Sequence, residues 1–549
     1  MLKLIPLGGL GEIGLNMMVV EYDDVMFIID AGLMFPEDYM LGVDIVIPAM
    51  DYIRENLSKI EGIILTHAHE DHIGALPYLL REIRIPVYGT PFTLEIVRNK
   101  LIEFDLNKYV DLNLVNPGEI LNIEPFEIEF IRVSHSTVDG VGLAIHTPEG
   151  IVVHTGDFRI SHNPDETKNT DISSFARMGE KGVLALLSDS TNVEVKGYTM
   201  SEQEVARNLE KLISASSGRV IVALFASNVH RIQQVIDIAV QNHRKVVFNG
   251  RSMDQIIEVA KKLGHIQCPP NTIVDIKQIG KIRDNELVII TTGSQGEPMS
   301  ALVRMASGTH KHIKIKKDDR VILSSKHIPG NEKAIASIIN KLYRKGADVV
   351  YSKIAQIHAS GHAHQEELKL MLNLVKPRYF IPIHGEYRHL VVHARLAEKM
   401  GMPRENVMVA ENGQIIAFDK DGGRMAGQVQ TGRILIDGKG VGDVGRSVLK
   451  ERRELSEGGL VVVTMIIDEE TGVVLYGPEL VSKGFVFDSA TGYLVDDAQC
   501  VILEIVEEME VGMESRVELM RKRLQRALKQ YFAFTINRKP LIVPIIIEI

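Results

Sequence analysis

Tryptophan is absent from the 549 residues, aromatic side chains make up 5% of the chain, and there are two cysteines. Each scarcity excludes something. Cys268 and Cys500 cannot build a disulfide framework or a cysteine zinc cluster, and they point to a reducing compartment. So few aromatics advertise no extensive base stacking. Basic charge is in deficit: the formal net charge is −10. That argues against a uniformly phosphate-binding surface, although a large chain can keep a local positive channel. Long apolar runs are also missing. The longest, Leu541-Ile542-Val543-Pro544-Ile545-Ile546-Ile547, is far too short to span a bilayer. The N-terminus carries no basic stretch followed by an apolar segment, so no signal peptide is expected and the cytoplasm is the default. What is present is ordinary for a globular protein, 45% apolar and 24% charged residues. The length predicts about two to four domains.

Against this plain background one segment is dense in metal-ligating side chains. Thr66-His67-Ala68-His69-Glu70-Asp71-His72 follows the apolar run Gly62-Ile63-Ile64-Leu65. The run reads as a buried strand. In extended backbone His67 and His69 leave on the same side. Asp71 and His72 follow where the chain should turn into a helix over Ile73 to Leu80, and so approach from a second direction. Imidazole nitrogen and carboxylate oxygen suit zinc and also manganese.

Elsewhere in residues 1–200, short strands repeatedly end in polar residues of ligand type. Ser134-His135-Ser136 follows Phe130-Ile131-Arg132-Val133. His154-Thr155-Gly156-Asp157 follows Gly150-Ile151-Val152-Val153. Much later, Pro382-Ile383-His384-Gly385-Glu386 follows Pro377 to Ile381. From 201 the texture changes. Ser201-Glu202-Gln203-Glu204 has a capping-box pattern. Apolar strands at Arg219 to Phe225, Lys245 to Phe248, Leu287 to Thr291 and Arg320 to Ser324 then alternate with helical stretches at His230 to Gln241, Ser252 to Leu263 and Lys333 to Lys345. That alternation implies βαβ units and a mainly parallel sheet. Histidine-bearing polar segments return near 352. Glycine-rich Gly438 to Asp443 and the charge run Lys450 to Glu454 read as a boundary. Strands, one long helix over about Ala498 to Phe532, and a final strand follow. The expected division is therefore 1–200, 201–351, 352–447 and 448–549.

Gly9-Leu10-Gly11-Glu12-Ile13-Gly14 matches a dinucleotide-binding fingerprint literally, with Asp30 downstream. That fingerprint needs a helix directly after its glycines, to carry the pyrophosphate. Here Met17 to Tyr22 and Val25 to Asp30 read as a hairpin, so a glycine turn between strands is expected instead.

The H-x-H-x-D-H motif, the later His135, the Gly156-Asp157 pair and the final His384 together resemble the metallo-β-lactamase superfamily. A second set resembles the β-CASP nucleases: Ser188-Asp189-Ser190-Thr191, the inserted α/β stretch, His358-Ala359-Ser360-Gly361-His362 and Pro382 to Glu386. Phe225 to Arg231, Thr292 to Pro298 and Leu7 to Gly14 extend the likeness to ribonuclease J. It covers essentially the whole chain, and the C-terminal region is similar to the bacterial type.

The resemblance implies an α/β architecture: a four-layer αββα sandwich, an inserted β-CASP domain with a parallel sheet, and a small α/β C-terminal domain. It implies two divalent ions, zinc or else manganese. His67, His69 and His135 would hold one, Asp71, His72 and His384 the other, with Asp157 bridging. Asp71, His362 and Asp189 would be catalytic, His362 as general acid held by Asp189, and Asp30 would orient ligands from behind. Ser227, Asn228 and the run His358 to His362 would bind substrate. The implied activity is hydrolysis of single-stranded RNA 5′→3′ from monophosphorylated ends, with internal cleavage, in RNA processing and decay. A homodimer or homotetramer and no membrane association are implied as well. The basic stretch Arg304 to Lys317 reads equally as a lining of the RNA path or as a solvated edge strand. Three other functions remain open on sequence alone: a β-CASP DNA nuclease, a small-substrate hydrolase of the same superfold, and a non-catalytic RNA-binding subunit.

Overall fold

The computed structural model describes residues 1–161, 169–295, 297, 299–325, 331–438, 440–485, 492–512 and 515–549. Two positions of the Thr292 to Pro298 motif, Gly296 and Pro298, lie outside them. The chain forms two compact units, Met1–Met34 with Ile47–Arg433, and Phe35–Val46 with Ile434–Ile549.

The first unit is built on two facing sheets. One has eight strands, in the order Gly422–Gln428, Gln414–Asp419, Leu2–Gly8, Met17–Tyr22, Val25–Ile29, Ile60–Ile64, Val87–Gly89 and Leu112–Leu114. The other has six, in the order Tyr379–Ile383, Val183–Asp189, Gly150–His154, Val141–Thr147, Phe126–Arg132 and Ile120–Ile123. Alternate residues along these strands point inward, as the two-residue period of a strand dictates. Leu2, Leu4, Val20, Phe27 and Ile29 of the first sheet meet Phe126, Ile128, Phe130, Leu143 and Leu187 of the second, all buried. Phe27 and Phe126 pack edge to face at 5.0 Å. Helices Ile172–Lys181, Gln365–Val375 and Tyr387–Lys399 cover the outer face of the six-stranded sheet through Phe175, Met178, Met371 and Leu396. Pro91–Glu103 packs on the other sheet at Val87–Gly89 and Leu112–Leu114. This is the expected four-layer sandwich.

Strand direction gathers the site. Gly150–His154, Val183–Asp189 and Tyr379–Ile383 run parallel, so the residues that follow them, Asp157 and His384, share one edge with Asp189. In the other sheet Val25–Ile29 and Ile60–Ile64 are parallel, which sends Asp30 and Thr66-His67 off the same kind of end.

The inserted sheet is parallel throughout, in the order Lys245–Asn249, Leu287–Thr291, Val220–Ala223, Arg320–Leu323 and Asp348–Val350. Its strands are buried apolar runs, as a sheet covered on both faces requires. Chain connections leave the Val220–Ala223 strand and its neighbour Arg320–Leu323 on opposite sides. Ser227 and Asn228 therefore emerge at the carboxyl-end switch point where such sheets take ligands. Ser201 caps Glu202–Ser214, its side chain accepting the Glu204 N–H.

The glycine turn is not a nucleotide site. Met17–Tyr22 and Val25–Ile29 form the expected antiparallel hairpin, and Leu10–Gly11 pairs in parallel with Gly385–Glu386, directly behind His384.

Three local expectations change. The helix expected over Ile73 to Leu80 is two, Glu70–Ile73 and Leu76–Glu82, because the ring of Pro77 would clash with the Ile73 carbonyl of a continuous helix. Asp71 and His72 consequently lie inside the first turn. The long helix over about Ala498 to Phe532 is also two, Gly492–Glu507 and Arg516–Ile536. Gly512 and Ser515 take positive φ between them, and residues 513 and 514 fall outside the described set. The charge run Lys450 to Glu454 sits within the helix Arg446–Gly458. Arg304 belongs to helix Ala301–Ser307, residues 308–319 contain no strand, and Lys316 pairs with Asp284 at 2.7 Å.

The second unit carries a three-stranded sheet, Val474–Lys483, Leu460–Ile467 and Leu541–Glu548. Val461, Val463 and Met465 face Leu524 and Leu528 of the helix Arg516–Ile536 in its core.

Candidate metal centre

Two clusters of ligand atoms share one carboxylate. His67 Nε2 and His135 Nε2 each lie 3.1 Å from His69 Nδ1. Asp157 Oδ2 lies 3.7 Å from His67 Nε2 and 3.8 Å from His135 Nε2. On the other side of Asp157, His72 Nε2 is 3.4 Å from Oδ2 and His384 Nδ1 is 3.2 Å from Oδ1. Asp71 Oδ2 sits 3.6 Å from His72 Nε2 and 3.3 Å from His384 Nε2. Both groups have the composition and compactness of a cation site. A tetrahedral ion with ligand bonds of about 2.0–2.1 Å separates its ligand atoms by about 3.3 Å, which the first cluster approximates. The seven expected ligand residues are thus brought together from four separate chain segments.

The outward ring nitrogens are engaged, and this aims the inward ones. His135 Nδ1 donates to the Gly361 carbonyl at 2.8 Å, which leaves Nε2 as the lone-pair nitrogen. His67 Nδ1 meets Thr66 Oγ1 at 3.0 Å. Thr66 in turn donates its hydroxyl and its backbone N–H to Asp30, both at 2.8 Å. Asp30 also takes His72 Nδ1 at 2.7 Å, so it backs the His72 ring directly and the His67 ring through Thr66 without itself belonging to either group. His384 Nδ1, which also faces Asp157, meets Thr191 Oγ1 at 3.0 Å and Asp189 Oδ1 at 3.3 Å, leaving Nε2, toward Asp71, as its inward nitrogen. Its φ of 52° is left-handed for a residue with a side chain, a strain of the kind that concentrates at functional sites.

Electrostatics agree with the donor chemistry. Burial, with neighbouring imidazoles, holds His67 and His135 well below the ordinary histidine range, and burial pushes His69 down to about 4. These are neutral rings, the form that ligates. Burial would depress His72 and His384 too, but Asp157, Asp71, Asp30 and Asp189 outweigh it. His72 is held well above its ordinary value and His384 is lifted to about 10. Burial would raise the carboxyls of Asp71, Asp157 and Asp189, yet the facing histidines hold all three below the usual carboxylate range. The pocket therefore demands positive charge among buried carboxylates, which fits divalent cations.

Beside the clusters, His362 Nδ1 is 2.8 Å from Asp189 Oδ2 and 3.8 Å from Asp157 Oδ2. Burial alone would lower its pKa; Asp189 and then Asp157 raise it. From the inserted sheet, Ser227 Oγ reaches within 3.1 Å of His69 Nε2. Asn228 is buried, and its side chain caps Val229–Gln241 by accepting the Arg231 N–H. Ser360 Oγ accepts from Asn192 Nδ2 at 2.6 Å and from the His362 N–H at 3.2 Å. His358 is half-buried and Ala359 buried. Gly361 does something the motif did not suggest. Its carbonyl orients His135, and a Cβ there would fall 2.7 Å from that ring. Gly32 is similar, with the Asp71 carbonyl 1.6 Å from where its Cβ would stand.

Several contributors were given no role by the sequence. Thr66, Thr191, Asn192 and Asn16, whose Nδ2 donates to the Asp71 carbonyl at 3.1 Å, are ordinary polar residues until the fold supplies their partners. Buried His154, whose Nδ1 accepts the Gly156 N–H at 3.0 Å, shapes the turn before Asp157.

Two facing mixed sheets with a histidine–carboxylate cluster at one edge define a metallo-hydrolase. Residues 10–201 match the metallo-beta-lactamase superfamily. Residues 217–342 match the ribonuclease J beta-CASP domain, 347–410 a Zn-dependent metallo-hydrolase RNA specificity domain, and 447–549 the ribonuclease J C-terminal domain. Ribonuclease J2 of Bacillus subtilis is 40% identical over 100% of this chain and 98% of its own. Ribonuclease J 1 of Streptococcus pyogenes is 40% identical over 98% of this chain and 96% of its own. Ribonuclease J of Thermus thermophilus is 41% identical over 100% and 95%. A crystal structure of a protein of unknown function from Enterococcus faecalis shares the fold, with a TM-score of 0.52 at 16% identity over 76% of this chain and 99% of that one. The chain belongs to the ribonuclease J family and is a metal-dependent ribonuclease.

Gly361→Ala is expected to keep the far-UV circular dichroism of the parent while lowering bound metal and ribonuclease activity at least about tenfold, because the methyl displaces the His135 ring. Unchanged metal content and activity would show that this close approach does not set the ligand.

Proposed function

We propose that this ribonuclease degrades single-stranded RNA 5′→3′ from 5′-monophosphorylated ends and also cuts internally, in cytoplasmic RNA processing and decay. One observation carries the reading. Ser227, at the ligand-binding edge of the inserted sheet, lies 3.1 Å from the metal-cluster residue His69. A phosphate taken by Ser227 therefore sits beside the candidate metal cluster, so only a short 5′ end can lie between the two. Ser227, Asn228 and His358 to His362 are assigned to that phosphate and its nucleotide. Hydroxyl, amide and backbone N–H donors suffice for an oxyanion.

His67, His69, His135 and Asp157 would hold one cation, and Asp71, His72, His384 and Asp157 the other. Zinc is the assigned ion, with manganese the alternative, since both accept this donor set. Such a pair, when bound, supplies Lewis-acid charge to phosphoryl oxygens and lowers the pKa of water. The chain's own residues do the rest. Asp30 fixes the His72 ring and, through Thr66, the His67 ring. Asp189 keeps a proton on His362, and His362 delivers it to the departing 3′ oxygen.

Residues 1–200 and 352–447 form the hydrolytic body in this reading, and 201–351 the RNA clamp. Residues 448–549 form the subunit contact of a homodimer or homotetramer. The C-terminal sheet supports the last assignment. On the face away from its helices, Val462, Val543, Ile545, Ile547, Val481 and Tyr476 lie side by side, with Ile545 44% and Ile547 50% exposed. A contiguous apolar face of this kind marks an interface. A second copy is its proposed occupant.

Product mapping tests the activity. RNA bearing a 5′-monophosphate should yield mononucleotides from its 5′ end, abolished by chelator, while the 5′-triphosphate form yields internal fragments only; equal exonucleolysis of both would reject the end preference. His362→Asn is expected to lower kcat about 10²- to 10⁴-fold with metal content unchanged, and a loss under threefold would remove it as the acid. For assembly, Ile545→Glu should reduce the mass in sedimentation equilibrium to that of one chain. An assembled mutant, or a parent that is already monomeric, would discard the sheet face as the contact.

A further inference from the structure

The two loops assigned to the terminal phosphate come from chain segments about 130 residues apart. Ser227-Asn228 follows the strand Val220–Ala223, and His358 to Gly361 lies beyond Asp348–Val350. Some element must set the gap between them. Arg231 spans it. Its backbone N–H donates to Asn228 Oδ1 at 3.1 Å. Its Nη1 donates to the carbonyl of Ile357, the residue before His358, at 2.9 Å, and to Ser324 Oγ at 2.9 Å. Ser324 in turn donates to the same Ile357 carbonyl at 2.5 Å. One side chain and one hydroxyl thus tie the start of the helix Val229–Gln241, the end of the strand Arg320–Leu323 and the root of the histidine loop.

Arg231 is fully buried, at 0% exposure, so it cannot touch RNA. A buried guanidinium persists only if paired. Glu202 supplies the pair: Oε2 lies 2.6 Å from Arg231 Nη2 and 3.2 Å from Nε. The carboxylate's other oxygen faces Arg159 Nη2 at 3.3 Å. Arg159 follows the metal-bridging Asp157 by two residues and is 3% exposed. Burial would raise the Glu202 carboxyl, but Arg231 and Arg159 pull it down to about 2. The chain of contacts therefore runs from the Asp157 turn through Glu202 and Arg231 to both phosphate loops. Any residue but proline at 231 keeps the backbone bond to Asn228, but a shorter or apolar one loses the reach from there to the Ile357 carbonyl and to Ser324. That geometry suits a ruler more than a stability element.

We propose that Arg231, locked by Glu202, is a positioning residue that sets the spacing of the Ser227–Asn228 and His358–Ser360 segments, and so determines the preference for a 5′-phosphorylated RNA end, while Gly361 stays held against His135. This rests on the end preference proposed above. The internal-cleavage mode needs the metal ligands and His362 but not the terminal phosphate, so it serves as the internal control.

The test compares kcat/KM on one RNA carrying a 5′-monophosphate or a 5′-hydroxyl, and internal cleavage of a circular RNA, for the parent, Arg231→Gln, Arg231→Lys and Ser324→Ala. The 5′-phosphate to 5′-hydroxyl ratio should fall at least tenfold in Arg231→Gln, through KM, while circular RNA is cut within threefold of the parent rate. Arg231→Lys, able to keep the Glu202 pair, should recover part of the ratio. Ser324→Ala, a small change that keeps the buried charges paired, should lower it about threefold and decides the matter if Arg231→Gln does not fold. Ratios equal to the parent's in the folded variants, or equal losses on all three RNAs, would overturn the assignment. A parent with no preference for the phosphorylated end would reject the underlying reading instead.

Discussion

The structure turns on one buried carboxylate. Asp157 is 3% exposed and lies between 3.2 and 3.8 Å from ring nitrogens of His67, His72, His135, His362 and His384. An isolated carboxylate in such a place is strongly unfavourable, and five imidazoles crowded without an anion would be no better. Each is tolerable only with the other, and a buried cluster of this composition suits a bound cation. The two ligand groups also share no atom other than those of Asp157, so the side chain that satisfies the charge is the one that couples both halves of the centre.

The fold exists, in effect, to hold that arrangement. Parallel strands in both sheets send their carboxyl ends to one edge, and the apolar faces of Leu2, Phe27, Phe126, Phe130 and Leu187 lock the sheets together behind it. The candidate ligand residues sit on strand ends and a one-turn helix, not on long loops, and their outward nitrogens meet Thr66, Asp30, Gly361 and Thr191. A net charge of −10 is compatible with a polyanionic substrate, because a site can be locally positive while the rest of the chain is acidic.

Much of this could be read from the amino-acid order, for identifiable reasons. His67, His69, Asp71 and His72 are contiguous, and each remaining ligand follows an apolar strand, so local pattern and chemistry coincide. The hairpin after the glycine turn was visible as two apolar runs around Asp23-Asp24, which excluded a nucleotide fold. What stayed hidden was non-local. Thr66, Thr191, Asn16 and Asn192 acquire roles only through partners distant in the chain, and Gly361 matters through its carbonyl and its missing Cβ, which no motif encodes. The two split helices were missed where Pro77 and Gly512 overrode otherwise helical patterns. Arg231 stood in the sequence only as the last residue of the Phe225 to Arg231 match, and its role comes from the packing of Glu202 and Ile357 around it.

The most direct test is crystallographic. Crystals of protein prepared with its metal retained, measured on both sides of the absorption edges of zinc and manganese, should give anomalous difference peaks flanking the Asp157 carboxylate, one within bonding distance of His67, His69 and His135 and one of Asp71, His72 and His384. A map with no peak beside Asp157, or with density for a cation held elsewhere and these histidines unliganded, would contradict the account.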